Sequence, residues 1–206
     1  MMMDFKLLSK YGIKCPASVV ANTMEDAVKA ADRIGYPVVV KIISPDVLHK
    51  TDAGGVLFNV RDHDEAVWGY ELMMKRLKGK RVDGVLVQKR VADGAFELIV
   101  GGKRDSQFGQ MIMLGMGGIY VEVLRDYTFR ICPVTKGDVE EMIEELRGHP
   151  ILEGARGRKP VDRKALVDTI LAVSKLLLKE DPAEFDINPL MVNDKECLAV
   201  DMRLLR

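Results

Sequence analysis

Two rhythms of apolar and polar positions alternate along this chain. Short continuous apolar runs read as buried strands, and apolar residues three and four apart read as helices. After an opening helix, residues 17–20 read as a strand. Thr23 then caps a helix running to about Ile34, with Glu25 and Asp26 beside its positive end. Gly35, Tyr36 and Pro37 stop it. The β-branched run VVVKII at 38–43 reads as a buried strand. A polar loop over 44–55 leads to a strand at 56–60, a helix over 64–77 and a strand at 85–88. This first part is a mixed α/β lobe.

The second part opens with strands at 96–100 and 110–114. The glycine cluster LGMGGI follows at 114–119, then a strand near 128–133. Helices are expected over 136–146 and 162–178; in the latter, Leu166, Ile170, Val173 and Leu177 recur at helical spacing. Between them the Gly- and Pro-rich stretch 149–160 reads as loop. Segments 185–192 and 197–202 close the chain as a hairpin. The pattern therefore predicts a single module with lobe one at 1–88, a hinge at 88–94 and lobe two at 95–206. A cleft between two such lobes is where small-molecule sites usually form.

Composition narrows the function classes. Lys plus Arg and Asp plus Glu both number 31, so the formal net charge is zero. That balance argues against a nucleic-acid or anionic-membrane surface as main partner. No apolar run approaches the ~18 residues of a membrane span, and the polar start is unlike a signal peptide. Cys15, Cys132 and Cys197 stand singly, which suits reduced packing thiols and a cytoplasmic location. Only four Asn and three Gln accompany 30% charged residues, a mild sign of a warm-living source.

Several residues carry chemistry beyond packing. Lys41 interrupts an apolar strand, so its ammonium either snorkels to water or meets an anion such as phosphate. The segment His49-Lys-Thr-Asp-Ala-Gly-Gly55 is dense in functional groups, although a lone histidine is more often solvated or packed. LGMGGI, followed by Glu122 and Asp126, is either an anion cradle or a tight turn. In the terminal hairpin, Asp186, Asn188 and Asp201 are either surface polar groups or oxygen ligands converging on a hard cation.

The stretches YGIKCP, GYPVVVKIISPDVLHKTDAGGV, FELIVGGKRDSQFG, MLGMGGIYVEVLRDYTFRICPVT, GHPILEGARG and EFDINPL resemble, in order, the ATP-grasp family. Within it they are similar to β subunits of ADP-forming acetyl-CoA (acyl-CoA) synthetases. The resemblance implies an α/β ATP-grasp fold (α+β mixed), two α/β lobes with nucleotide in the cleft between them. It implies that Lys41 meets nucleotide phosphates, that the backbone of Gln88, Lys89, Arg90 and Val91 meets adenine, and that Glu97 meets ribose. Gly117 and Gly118 match the loop over the phosphates, and Asn188 and Asp201 match ligands of Mg²⁺. Asp186 matches an acid beside the partner's phosphohistidine loop, and Arg130 matches a position near the phosphate path. His49 matches a phosphate carrier between that partner and ADP, with Gly54 and Gly55 as pivots.

Many ATP-grasp proteins keep an acid in the hinge where this chain has Lys89 and Arg90, which puts a side-chain contact to adenine in doubt. Nothing in the chain resembles the family's CoA-binding domain or its other phosphohistidine. Those belong to an α subunit, and an α₂β₂ assembly is expected. Two other readings remain open at this level: a carboxylate–amine ligase of the same fold, and a non-catalytic nucleotide sensor. The first would need no histidine in the 44–55 loop, and the second would have lost phosphate or metal residues.

Overall fold

The opening helix α1 (Phe5–Lys10) does not pack with the elements that follow it in sequence. In the computed structural model, which describes residues 5–47, 50–118 and 123–206, the chain divides into two units. Residues 16–91 form the first. Residues 5–15 join residues 92–206 in the second. This corrects the expected boundary, which put the whole of 1–88 in one lobe. The reason is packing: Leu8 and Ile13 are fully buried in the second unit's core. The Tyr11 hydroxyl and Lys10 Nζ both donate to Glu180 Oε1, at 2.6 and 2.8 Å, and the Ala199 N–H donates to the Lys14 carbonyl at 2.9 Å.

The first unit contains β1 (Ser18–Ala21), α2 (Met24–Ile34), β2 (Val38–Ile43), β3 (Val56–Val60), α3 (His63–Arg76) and β4 (Gly84–Lys89). The Thr23 hydroxyl accepts from the Asp26 N–H to start α2, and Gly35 at φ 80° ends it. The strands form an antiparallel sheet in the order β1-β4-β2-β3. Alternation then sorts the side chains by face. Val38, Val40, Ile42, Val85 and Val87 pack with Ala27, Ala31 and Met73 from the helices. The opposite face presents Val39, Lys41, Leu86 and Gln88, all buried.

The second unit contains β5 (Phe96–Asp105), β6 (Gly109–Met116), β7 (Tyr127–Ile131), α4 (Lys136–Glu145), α5 (His149–Leu152), a 3-10 turn (Ala155–Gly157), α6 (Arg163–Glu180), β8 (Glu184–Val192), β9 (Cys197–Ala199) and β10 (Met202–Leu205). The helix and 3-10 turn at 149–157 occupy a stretch read from sequence as loop. Pro150 sits in the first turn of α5, where its missing N–H costs nothing. The antiparallel sheet runs β10-β8-β5-β6-β7, with β9 also on β8. One face is covered by α4 and α6. There Leu166, Ile170, Val173 and Leu177 of α6 meet Leu98, Val100, Ile112, Leu114, Phe185 and Ile187 of the sheet. Burial pushes the Cys197 thiol up to about 12 and the Cys15 thiol up to about 11, as packing cysteines require. Among the described residues, no helix is long and apolar enough to cross a membrane.

Candidate functional site

Lys41 lies at the middle of β2, opposite Leu86 on β4 and Val56 on β3. Its neighbours Val40 and Ile42 point into the helix-covered core, so strand alternation turns Lys41 to the other face. Lys41 as a residue is 7% exposed, and its ammonium donates to Gln88 Oε1 at 3.0 Å. A buried amine needs such a partner, because desolvating an ammonium without one is costly. Sequence reasoning assigned Gln88 a role only through its backbone. Gln88 is 1% exposed, and its side chain accepts a hydrogen bond from Lys41. The signal was available: a polar amide directly following the apolar run Val85-Leu86-Val87 within one strand.

The expected hinge is more committed than anticipated. The Lys89 side chain donates to the Gly35 and Tyr36 carbonyls, at 2.8 and 2.9 Å, tying the end of β4 to the turn after α2. The Lys89 N–H donates to the Ala17 carbonyl at 2.7 Å, and the Arg90 N–H to the Pro37 carbonyl at 3.2 Å. Two backbone donors expected to serve adenine are thus already engaged.

In the second unit, Glu97 and the glycine pair come together. The Gly117 N–H donates to the Glu97 carbonyl at 2.7 Å. A Cβ on Gly117 would stand 2.8 Å from that carbonyl's carbon and oxygen, so the close approach demands glycine. Gly118 has φ +60°, and a Cβ there would lie 3.3 Å from Glu97 Oε2. The segment is anchored further along by Asp126, which sequence reading noted only as an acid after the glycines. Its carboxylate accepts from the Arg147 and Gly148 N–H groups, both at 2.8 Å, and its carbonyl accepts from the Met116 N–H.

The third group forms where β8 breaks its ladder. The β5–β8 register shifts between Leu98 and Val100, opposite Asn188 and Pro189. Pro189 has no N–H to give the ladder, which makes a bulge the natural outcome. The neighbouring strand is interrupted at the same level, between β9 and β10. There the Asn188 N–H donates to the Asp201 carbonyl at 3.2 Å, and the Val200 N–H donates to the Pro189 carbonyl at 3.1 Å. Asn188 and Asp201 are thereby neighbours. Asp186 shares with Asn188, two residues away on β8, the sheet face opposite α4 and α6, and pairs in register with Arg203. Burial pushes the Asp186 carboxyl above its usual range; Arg203 pulls it back, and Asp201 and Glu184 push it further up.

Asp201, Asn188 and Asp186 offer only hard oxygen donors besides the amide nitrogen, which suits Mg²⁺ rather than a softer metal. Among the described residues, no three His, Cys, Asp or Glu side chains cluster as a self-sufficient metal site. Magnesium commonly needs no such cluster, because nucleotide phosphates and waters complete its shell.

Arg130 is not brought to Asp186. The register Arg130–Ile112–Gly102–Phe185 puts it on the helix-covered face, whereas Asp186 pairs through Gly101 and Met113 to Phe129 on the other. Its guanidinium holds Glu145 through two hydrogen bonds, at 2.6 and 3.1 Å, with Glu141 at 3.5 Å. Those carboxylates raise its already high pKa, and its place near a phosphate path is not supported. His49 lies outside the described residues. The turn after it is tight: the Gly55 N–H donates to the Lys50 carbonyl at 2.7 Å and the Gly54 N–H to the Thr51 carbonyl at 3.0 Å. A cavity of about 490 Å³ beside α6, bounded by Tyr11, Lys14, Asp168 and Cys197, contains none of the candidate residues.

Comparison with known proteins follows the same lines. A family model described as an ATP-grasp domain matches residues 2–205. The chain is 44% identical over 205 residues to the β subunit of acetate–CoA ligase (ADP-forming) I of Pyrococcus furiosus, covering 97% of this chain and 88% of that subunit. It is 47% identical over 203 residues to acetate–CoA ligase (ADP-forming) I of Archaeoglobus fulgidus, covering 97% of this chain but spanning only 30% of that longer protein. Among solved structures, it superposes with a TM-score of 0.93 on the dinucleotide-forming acetyl-coenzyme A synthetase 1 of Ca. Korarchaeum cryptofilum in complex with coenzyme A, Ca-AMPCP and HgCl+. That pair is 38% identical and covers 98% of this chain and 90% of the other. The same Korarchaeum protein with coenzyme A and Mg-AMPPCP, its phosphohistidine segment pointing towards the nucleotide-binding site, gives a TM-score of 0.84 at 38% identity. There 96% of this chain and 87% of the other are covered.

Proposed function

The chain belongs to the ATP-grasp family, and from that premise we propose that it is the nucleotide-binding β subunit of an ADP-forming acyl-CoA synthetase. The overall reaction is acyl-CoA + ADP + phosphate = acid + CoA + ATP, and this chain handles the ADP/ATP half. The reading is carried by the Asn188–Asp201 pair on the face that also holds Glu97, in a chain matching nearly the whole of a ligase β subunit.

Each residue then has a physical task. Lys41, oriented by Gln88, meets the nucleotide phosphates as a point charge. Glu97 accepts from ribose hydroxyls, and the Gly117–Gly118 backbone lies along the phosphates. Asn188 and Asp201 would hold Mg²⁺, which would neutralise charge on the phosphate oxygens during phosphoryl transfer. Asp186 accepts the ring N–H of an incoming histidine, keeping the other ring nitrogen as nucleophile. His49 takes the phosphoryl group from the partner's histidine, whose N–P bond breaks as one to His49 forms, and passes it to ADP, the His49 N–P bond breaking as the new O–P bond to ADP forms. The partner is an α subunit carrying the CoA-binding domain, in an α₂β₂ assembly in the cytoplasm.

The test is reconstitution. The chain alone should bind Mg·ADP and make no acyl-CoA; adding the α subunit should restore acid-, CoA- and ATP-dependent phosphate release. With γ-labelled ATP and Mg²⁺, an acid-labile, base-stable label should map to the His49 peptide and vanish in His49→Ala. Acyl-CoA synthesis by the chain alone would overturn the subunit reading. Near-wild-type turnover by His49→Ala with the α subunit would overturn the shuttle.

A further inference from the structure

The strand β7 ends the second sheet, and its alternate residues split between two fates. Thr128 and Arg130 face inward: the Thr128 hydroxyl donates to the Met142 carbonyl at 3.3 Å, and Arg130 holds Glu145. Tyr127, Phe129 and Ile131 face outward and are 39, 47 and 49% exposed. The Tyr127 and Phe129 rings touch edge to face, with centroids 5.3 Å apart. Val123 and Leu124, just upstream, are more exposed still. Slipping the strand by one residue to hide this row would drive Arg130 outward and unmake its ion pairs, so the row is fixed in the open. A contiguous apolar row on an edge strand is an aggregation hazard unless something covers it, and such patches mark interfaces.

We infer that Tyr127, Phe129 and Ile131 form the docking surface for the polypeptide that carries the acyl- and CoA-handling part of the enzyme. Two observations commit the surface to that occupant. The chain spans 30% of the Archaeoglobus ligase yet 88% of the Pyrococcus β subunit, so the rest of the enzyme meets this module across a non-covalent interface when the two are separate chains. The row also shares its sheet face with Asp186, through the register Phe129–Met113–Gly101–Asp186. Three strand spacings separate them, about 14 Å. A partner seated on β7 reaches Asp186 with roughly five extended residues, which is a suitable span for delivering a phosphohistidine segment. This inference rests on the proposed separate partner.

The test compares association of the wild-type chain and of two variants with the purified α subunit. Phe129→Lys/Ile131→Lys puts charge on the row, and Phe129→Thr/Ile131→Thr keeps strand preference while removing the apolar contact. Both should raise the Kd for the α subunit at least about 30-fold, with Mg·ADP affinity of the isolated chain unchanged. Phe58→Thr, an exposed aromatic of the first unit, should leave association unchanged. If wild type and both double variants bind the α subunit within threefold of one another, the docking surface is wrong and the partner reading stands. If the wild-type chain does not bind at all, both fall. If the variants lose only self-association in sedimentation, the row belongs to a second copy and the assignment is overturned.

Discussion

Lys41 donates to the side chain of Gln88 across the β2–β4 ladder, on the face of the first sheet turned away from its helices. The Gln88 oxygen is one partner of the amine on a residue that is itself buried. Gln88→Leu preserves volume and removes the acceptor. It should weaken Mg·ADP binding about fivefold, corresponding to ~1 kcal/mol for one hydrogen bond. Calorimetry checks this; unchanged affinity would show that Lys41 finds its orientation elsewhere.

Asn188→Ala and Asp201→Ala should each lower affinity for Mg·ADP by on the order of 10–100-fold, the scale seen when a metal's surroundings are altered. Binding of ADP in excess chelator should barely change. Titrations with and without Mg²⁺ separate the two effects. Wild-type Mg·ADP affinity in both variants would remove the pair from the metal site.

Gly117→Ala forces a methyl against the Glu97 backbone. It should cost about 1–3 kcal/mol, as overpacking does, and reduce nucleotide affinity because the 117–118 segment must shift. Gly137 in α4 is the control: a Cβ there meets only Thr135 Oγ1, at 3.7 Å, so alanine should raise Tm slightly. Matching Tm values for the two variants would contradict the close-approach argument.

The α1 segment is held by a pH-dependent contact. Hydrogen bonds from Lys10 and Tyr11 keep the Glu180 carboxyl below its usual range. A carboxylate with depressed pKa stabilises the folded state above its unfolded pKa, and that contribution disappears as pH falls through the folded value. Glu180→Gln should therefore lower Tm at neutral pH, with the gap closing below the ordinary carboxylate range. A Tm difference independent of pH between 7 and 3 would exclude a charge-based contribution.

Local pattern made most elements legible. The α2 cap at Thr23, the VVVKII strand and the α6 stripe each carry their signal within a few residues. What escaped depended on long-range packing. Residues 5–15 read as the start of lobe one because nothing near them shows that Leu8 and Ile13 bury in a core whose strands and helices begin only at Phe96. The hinge amides looked free because their acceptors, the Ala17 and Pro37 carbonyls, lie at the edges of other strands. Arg130 was misjudged for a related reason. Motif position fixes a residue's place along a strand, but only register and neighbours decide its face, and Glu145 had already claimed the guanidinium. Asp126 was visible as an acid after glycines, but its service to the amides of 147 and 148 was not.

The displaced N-terminal segment has a consequence for the order of events during synthesis. Tyr11 and Lys14 are matched to Glu180 and Ala199, which are made 169 and 185 residues later. At translation rates of roughly 5–20 residues per second, Leu8 and Ile13 wait on the order of ten seconds or more for their burial. Within residues 16–91 all four strands of the first sheet find their pairing partners, β1 on β4 included. The nascent chain thus completes the strands of its Lys41-bearing unit while α1 is still exposed, and α6 and β9, made later, seal that helix in place.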